Sequence, residues 1–418
     1  MTEVRSRTNM PLASAVLQKG YLSSPWVFSL SMMMVYTLLL LPILAREHFD
    51  PSVFIVAGDR FADTSALVTP ILVHPHSTGF DGQFYYRLAL APLDFRQPDL
   101  GIAVDSPAYR MQRILYPVIA WLLAFGQKPL VAITMVLANL LGIAGIAAMA
   151  VRLAKRLSLP IVAPLALMLW PGFIITVTHD TTEILSALFI LVALEAFLAG
   201  NLPLFALVGA AIPLTRETGI VALVGLCLFS LVKVMRSGVH PRAWGRVAAS
   251  IATFLPFLLW QGVLLQIFGQ SAVASGTGGN MGWPFLGAAH AFYDTLLGTR
   301  FYVHSRLWQL GMRGFVLFSA SVLLWLCVMV AWRLPAALRD PFWQPLAAAW
   351  IPLAVLMTLL TGPWIDPESY FRAFTECFVI GVLLLAWRPM SLTLNRMFFC
   401  TGALSFGLAW GMCFMGLR

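Results

Sequence analysis

Long apolar runs alternate with short polar breaks along this chain, and many of the runs have lengths that fit a bilayer. A helix needs about 20 predominantly apolar residues to cross roughly 30 Å of hydrocarbon. Full-length and shorter runs cover 26–45, 129–151, 158–175, 181–199, 202–215, 217–235, 247–268, 313–332, 343–361, 370–387 and 396–415. The pattern predicts an all-α polytopic membrane protein of about 11 transmembrane helices. The stretch 114–126 is short for a crossing and is predicted as a partly inserted helix. The run 26–45 follows Arg5, Arg7 and Lys19 but exceeds the length of a signal-peptide core, so it reads as a retained first helix.

Composition sharpens this picture. Of 418 residues, 60% are hydrophobic and 11% are charged, against about 25% charged in soluble domains. A soluble fold could not solvate such a surface. The net charge of +9 does not point to nucleic acid, because basic loops beside spans are expected on topological grounds. The five cysteines all sit in apolar runs, without a C-x-x-C pair, and read as small core residues rather than a disulfide framework or a zinc site.

The charges fix an expected orientation. With a cytoplasmic N-terminus, 14 of the 27 basic residues fall in the tail and the inner loops: Arg5, Arg7, Lys19, Arg152, Lys155, Arg156, Lys233, Arg236, Arg242, Arg246, Arg333, Arg339, Arg388 and Arg396. Those segments hold only Glu3 and Asp340 as acids. This is the positive-inside pattern. The same topology puts 14 of 18 acids and six of seven histidines on the opposite face, His240 being the exception. The positive-inside rule makes no demand on acids, so their one-sidedness points to an outward-facing polar site. The chain then reads as a single transmembrane domain, 1–418. It has a first outer loop at 46–113, with short amphipathic helices on the membrane, and a second at 269–312. The Gly-rich stretch 275–282 in the second loop is expected to be mobile.

Five constellations could carry chemistry. In G-F-D-G-Q-F-Y-Y-R, preceded by His74 and His76, Asp81 lies between glycine-permitted turns beside an aromatic run and could act as a general base at the membrane surface. The alternative is an Asp-Gly turn with interfacial aromatics. Arg110 and Arg113, three residues apart, share a helix face and suit a phosphate; the alternative is snorkelling to headgroups. His179, Asp180 and Glu183 lie where the chain turns back into the bilayer, and there Asp180 or Thr181 could instead cap a helix. Arg216 and Glu217 sit between two apolar runs, as a functional pair or a packing ion pair. Arg372 enters an apolar run and could reach a phosphate, or pair with Asp366 or Glu368.

The sequence resembles the GT-C class of integral membrane glycosyltransferases. The resemblance rests on the many spans, the large first loop with Asp81 in D-G-Q-F-Y-Y-R, the stretch Y-R-M-Q-R-I-L-Y-P-V-I-A-W-L-L-A, and the segments L-T-R-E-T-G and S-Y-F-R-A-F. An acidic pair directly after the first span, common in the class, has its counterpart in Glu47 and Asp50. The resemblance implies a hexosyl- or pentosyltransferase of the bacterial inner membrane, active on the periplasmic face. It implies a polyprenyl-phosphate sugar as donor, a glycan, lipid or protein as acceptor, and surrounding membrane lipids as the other partner. No cofactor or metal is required by that chemistry. Asp81 is then the base, with Asp180 or Glu183 as second choice. Arg216 and Arg372 bind phosphate, assisted by Arg110 or Arg113. His74, His76, Gln83, Tyr85, Tyr86, His179 and Glu217 complete the substrate site. A transporter or flippase, or a glycan polymerase or ligase, is the competing expectation; the absence of a detectable repeat weighs against a transporter.

Overall fold

The structure is a computed structural model that describes residues 24–95, 99–160, 162–237, 241–277, 280–297, 306–387 and 392–415. Arg5, Arg7, Lys19, His240 and Arg388, used above for orientation, lie outside the described residues, as do 278–279 of the Gly-rich stretch.

The described chain is built almost wholly of helices: α1 (Pro25–Arg46), α2 (Asp81–Leu90), α3 (Pro107–Met111), α4 (Leu115–Leu123), α5 (Val131–Arg156), α6 (Val162–Met168), α7 (Pro171–Thr178), α8 (Glu183–Ala199), α9 (Leu202–Thr215) and α10 (Ile220–Ser237). Then follow α11 (Pro241–Ala252), α12 (Leu255–Phe268), α13 (Ala272–Thr277), α14 (Leu286–Leu297), α15 (Arg306–Ala337), α16 (Gln344–Leu359), α17 (Pro367–Ala373), α18 (Thr375–Ala386) and α19 (Leu392–Met415). A single parallel pairing joins β1 (Ala57–Gly58) to β2 (Val73–His74). The protein is therefore an all-α polytopic membrane protein, as its apolar runs predict.

The number of spans differs from the expected eleven. Among the described residues, six helices are long and apolar enough to cross: Pro25–Arg46, Lys128–Arg156, Glu217–Arg236, Ala243–Phe268, Gln309–Ala337 and Arg396–Met415. A seventh is reached if α17 and α18, bent by 62° at their junction, count as one. The other expected runs are interrupted or short for identifiable reasons. Trp170 precedes Pro171 and is forced into an extended conformation (ψ 121°), which splits 158–175 into α6 and α7. Gly200 takes a left-handed conformation and ends α8 after 17 residues. The helices α9 and α16 have 14 and 16 residues, reaching about 21–24 Å at 1.5 Å per residue, less than a full crossing. The stretch 114–126 forms α4, only nine residues long.

The helices pack as α1 on α5, α5 on α8, α8 on α9 and α10 on α16. Polar side chains tie distant helices together: Tyr36 donates to Met168 O at 2.8 Å, Trp170 Nε1 to Thr375 Oγ1 at 2.9 Å, and Trp410 Nε1 to Leu39 O at 2.9 Å. The five cysteines are free, and Cys377 and Cys413 are buried.

The first loop departs from the picture of helices lying on a membrane. Every residue of α2 after Asp81 is buried, so α2 is an interior helix wedged beneath the β1–β2 pairing. Its Tyr85, Tyr86, Ala89 and Leu90 share a core with Tyr116, Ala120 and Met135. The loop is thus a folded cap. Gly82 explains its seating: a Cβ there would lie 2.3 Å from His179 O and 2.8 Å from Ile55 O. Only glycine lets α2 approach the α7–α8 turn this closely.

Gly82→Ala should therefore lower stability by at least ~1–3 kcal/mol, the usual cost of overpacking. Gly262→Ala, whose Cβ would meet nothing within 4 Å, serves as the neutral control. Thermal midpoints of the detergent-solubilised proteins read this out; equal midpoints for Gly82→Ala and the parent chain would contradict the close approach.

Candidate functional site

The site is assembled around Asp81, the first residue of α2. Phe80 is extended (φ −128°, ψ 174°) and hands the chain into the helix, while its amide donates to Val56 O at 2.8 Å. Gly79 supplies the positive φ of the preceding turn. Gln83 clamps that turn, donating to Thr78 O at 2.8 Å and accepting from Gly58 N at 3.2 Å. The Asp81 side chain is 27% exposed and lines a cavity.

Arg110 and Arg372 grip this carboxylate from two sides. Arg110 Nη1 donates to Oδ1 at 2.8 Å and Arg372 Nη2 to Oδ2 at 2.9 Å. Arg110 is itself fixed by a bidentate pair with Asp105, both bonds 2.8 Å, and by the Phe84 ring 4.6 Å away. Arg372 also donates to Glu183 Oε1, from Nη2 at 3.0 Å and from Nε at 3.2 Å, and lies over the Phe80 ring. Arg216 continues the series: its Nε is 3.9 Å from Glu183 Oε1, and its Nη1 donates to both oxygens of Glu376 at 3.1 and 2.9 Å. Ser186 Oγ donates to Glu376 at 2.9 Å. Acids and arginines thus alternate from Asp105 through Arg110, Asp81, Arg372, Glu183 and Arg216 to Glu376. A second fork stands beside this ladder. Arg113 donates to Glu217 at 2.6 and 2.7 Å, to Tyr85 at 2.7 Å and to Tyr109.

Burial is the reason for this alternation. An isolated charge in an apolar interior costs several kcal/mol, so buried charges come paired. Burial pushes the Asp81 carboxyl up, but the charges of Arg110, Arg372 and Arg113 outweigh it and hold the group well below the usual carboxylate range.

Asp81, Glu183, Arg113, Arg216, Glu217 and Arg372 all line one cavity of about 390 Å³. Its lining also includes apolar side chains, Val221, Val273, Met281, Leu356 and Leu360. The second loop closes the rim: Thr361 N donates to Asn280 O and Gly282 N to Leu359 O, at 2.9 and 2.8 Å. Gly276 lies so close to the Tyr109 ring that a Cβ would sit 2.0 Å from it.

The five clusters singled out in the sequence therefore meet, though not every residue in them reaches the cavity. Arg110 stands behind Asp81, and Tyr85 behind Arg113. Tyr86 is buried in the cap and bonded to Thr69. Gln83 is spent on the Gly58 and Thr78 backbone. His76 is exposed, its amide donating to Asp59 at 2.7 Å. Among the described residues, His74, His76 and Asp81 do not gather into a three-ligand cluster. Asp180 is fully buried at φ 45°, outside the cavity wall. Neither it nor Thr181 caps α8, whose N-cap is Thr182 with no side-chain bond. His179 is buried against the Phe80 ring, 3.7 Å from Glu368. Asp366 caps α17 through Ser369 N, so Arg372 pairs with distant acids instead of its neighbours.

Three participants were not singled out in the sequence as site residues: Glu376, Asp105 and Tyr109. Glu376 lies inside an apolar run, where an acid implies a partner, and Tyr109 is one helical turn from Arg113. Asp105 lies within arm's reach of Arg110 across the start of α3. No known family model, curated protein or solved structure matches this chain.

The depressed Asp81 value sets a pH window. Its pairing stabilises the fold fully above the ordinary carboxylate value of ~3.9 and is lost as pH falls through the lower folded value. The stability difference between the parent chain and Asp81→Asn should stay flat from neutral pH to about pH 4 and shrink below it. Thermal melting across that range checks this; a difference that already shrinks near pH 6 would mean that Asp81 is not held by the arginines.

Proposed function

We propose that the chain is a GT-C-type membrane glycosyltransferase. It moves a sugar from a polyprenyl-phosphate donor to an acceptor hydroxyl. The observation that carries this reading is that Asp81, Arg216 and Arg372 line one cavity together with the apolar side chains of Val221, Val273, Met281, Leu356 and Leu360. A lipid-phosphate donor needs a cationic place for its phosphate beside an apolar surface for its chain. An acceptor hydroxyl needs a carboxylate. The basic inner loops of the sequence support a site that opens on the outer, periplasmic face of a bacterial plasma membrane.

The chemistry follows from these groups. The acceptor oxygen attacks the anomeric carbon, its proton passes to Asp81, and the bond from that carbon to the phosphate oxygen breaks. Polyprenyl phosphate leaves with the electron pair. Arg372 and Arg216 hold the charge that develops on it. Phosphate is a good leaving group, so no strong general acid is needed. In the resting site Asp81 is a weak base, because two guanidinium groups share it. A donor phosphate that draws the Arg372 N–H groups toward itself removes one of those counter-charges and raises the proton affinity of Asp81 as the substrate arrives. Arg110, tied to Asp105, keeps the carboxylate in place, and Arg113, tied to Glu217, braces the wall.

Asp81→Asn should lower sugar transfer from a polyprenyl-phosphate donor by about 10²–10⁴-fold while the protein still purifies as a folded monodisperse species. Arg372→Lys should lower the rate as well, because a point charge cannot bridge Asp81, Glu183 and a phosphate with the geometry of a guanidinium fork. Parent-like transfer by Asp81→Asn would remove it from the mechanism. Movement of a polar solute across sealed vesicles with no glycosyl product would favour a transporter.

A further inference from the structure

Two of the polar side chains that line the cavity outside the ion ladder carry buried groups without a partner among the described residues. Gln112 is fully buried and lines the cavity. Its Oε1 accepts from Gln261 Nε2 at 3.3 Å, but among the described residues its own Nε2 has no hydrogen-bond partner. Thr218 lines the same cavity, and among the described residues its Oγ1 also lacks a partner. Each is the immediate chain neighbour of one member of the Arg113–Glu217 pair, whose 2.6 Å contact brings the two segments together.

A buried donor left unpaired in a folded protein calls for an explanation, and at a cavity wall the usual one is a ligand that supplies the missing oxygen. The surroundings narrow the kind of oxygen. Arg113, the chain neighbour of Gln112, is spent: Nε and Nη2 on Glu217, Nη1 on Tyr85, and Nη2 again on Tyr109. This part of the wall is therefore polar without surplus positive charge. Arg216 Nε differs: it is a buried donor beyond hydrogen-bond range of Glu183, at 3.9 Å, and it belongs to a cation. The cavity lining thus offers charged donors on Arg216 and Arg372 and neutral hydrogen-bonding groups on Gln112 and Thr218.

We propose that Gln112 and Thr218 form the subsite that recognises the hydroxyl groups of the transferred sugar ring, distinct from the groups that hold the phosphate. The inference rests on the glycosyltransferase reading and extends it to specificity. An amide N–H and a hydroxyl match a neutral polyhydroxylated ring, and a sugar lacking the matched hydroxyl would leave both groups buried and unpaired, the arrangement by which polar sites discriminate most sharply.

The test measures binding, not turnover. The full-length protein in detergent is titrated with farnesol, farnesyl phosphate and a panel of farnesyl-phosphoryl pentoses and hexoses, read by intrinsic tryptophan fluorescence. The parent chain should bind at least one sugar-bearing lipid about 3- to 10-fold more tightly than farnesyl phosphate for each hydrogen bond gained. Gln112→Met and Thr218→Val should each reduce that preference by about the same factor and leave farnesyl phosphate binding unchanged. Thr218→Ser, which keeps the hydroxyl, should retain it; this variant and Thr218→Val guard against a misfolded Gln112→Met. The proposal is overturned if the variants lose farnesyl phosphate affinity in equal measure, if they keep the full sugar preference, or if the parent chain binds every phosphate-bearing lipid alike. If the parent chain binds farnesyl phosphate no better than farnesol, the donor reading itself fails, an outcome distinct from a missing sugar subsite.

Discussion

The carboxylate of Asp81 is held between two guanidinium groups from distant parts of the chain, Arg110 in the first loop and Arg372 in the last turn of α17, beside the bend of a helix pair. This shared contact is the hinge of the structure, because neither arginine nor the acid could be buried without the others. From it the alternation of charges runs inward to Glu376 and outward to Asp105. The need to match each buried charge, rather than helix propensity, fixes where the α7–α8 turn, the α9–α10 turn and α17 stand relative to the cap.

The fold serves that contact with a small set of local devices. A glycine at 82 lets α2 sit against the His179 carbonyl. Pro171 breaks an apolar run that would otherwise continue as a straight helix, and Arg372 lies in the last turn of α17, beside the 62° bend between α17 and α18. Shortened helices are the cost of bringing charge to a cavity: backbone breaks are tolerated where they line a polar space and not where they face lipid.

Much of this was legible in the sequence, and the limits have physical causes. Hydropathy alone identified a helical membrane protein, and the positions of Asp81, Arg110, Arg113, Glu183, Arg216, Glu217 and Arg372 beside apolar runs marked them as residues with partners. Eleven runs did not become eleven long helices, because hydropathy measures burial and not continuity. A pre-proline residue such as Trp170 breaks a helix without making the run less apolar. The first loop was expected on the membrane surface. Its α2 is interior, since Phe84, Tyr85, Tyr86 and Leu88 are as well suited to a protein core as to a lipid surface, and only tertiary contacts decide between them. The pairing pattern was not readable either. Arg372 bypasses Asp366, which is spent on a helix cap, and Glu368, which faces His179, for acids 189 and 291 positions away. Glu376 was missed because a lone acid in an apolar run gives no hint of which arginine will meet it.

A carboxylate, two arginines and apolar side chains line one cavity, on which the proposed glycosyltransferase reading rests. The most direct test is a density map of the protein with a bound farnesyl-phosphate lipid. The account predicts the phosphate inside the cavity, within hydrogen-bond distance of Arg216 or Arg372, with the isoprenoid chain along Val221, Leu356 and Leu360. A phosphate resting at the headgroup level outside the cavity, with the Asp81–Arg372 pair undisturbed, would contradict it.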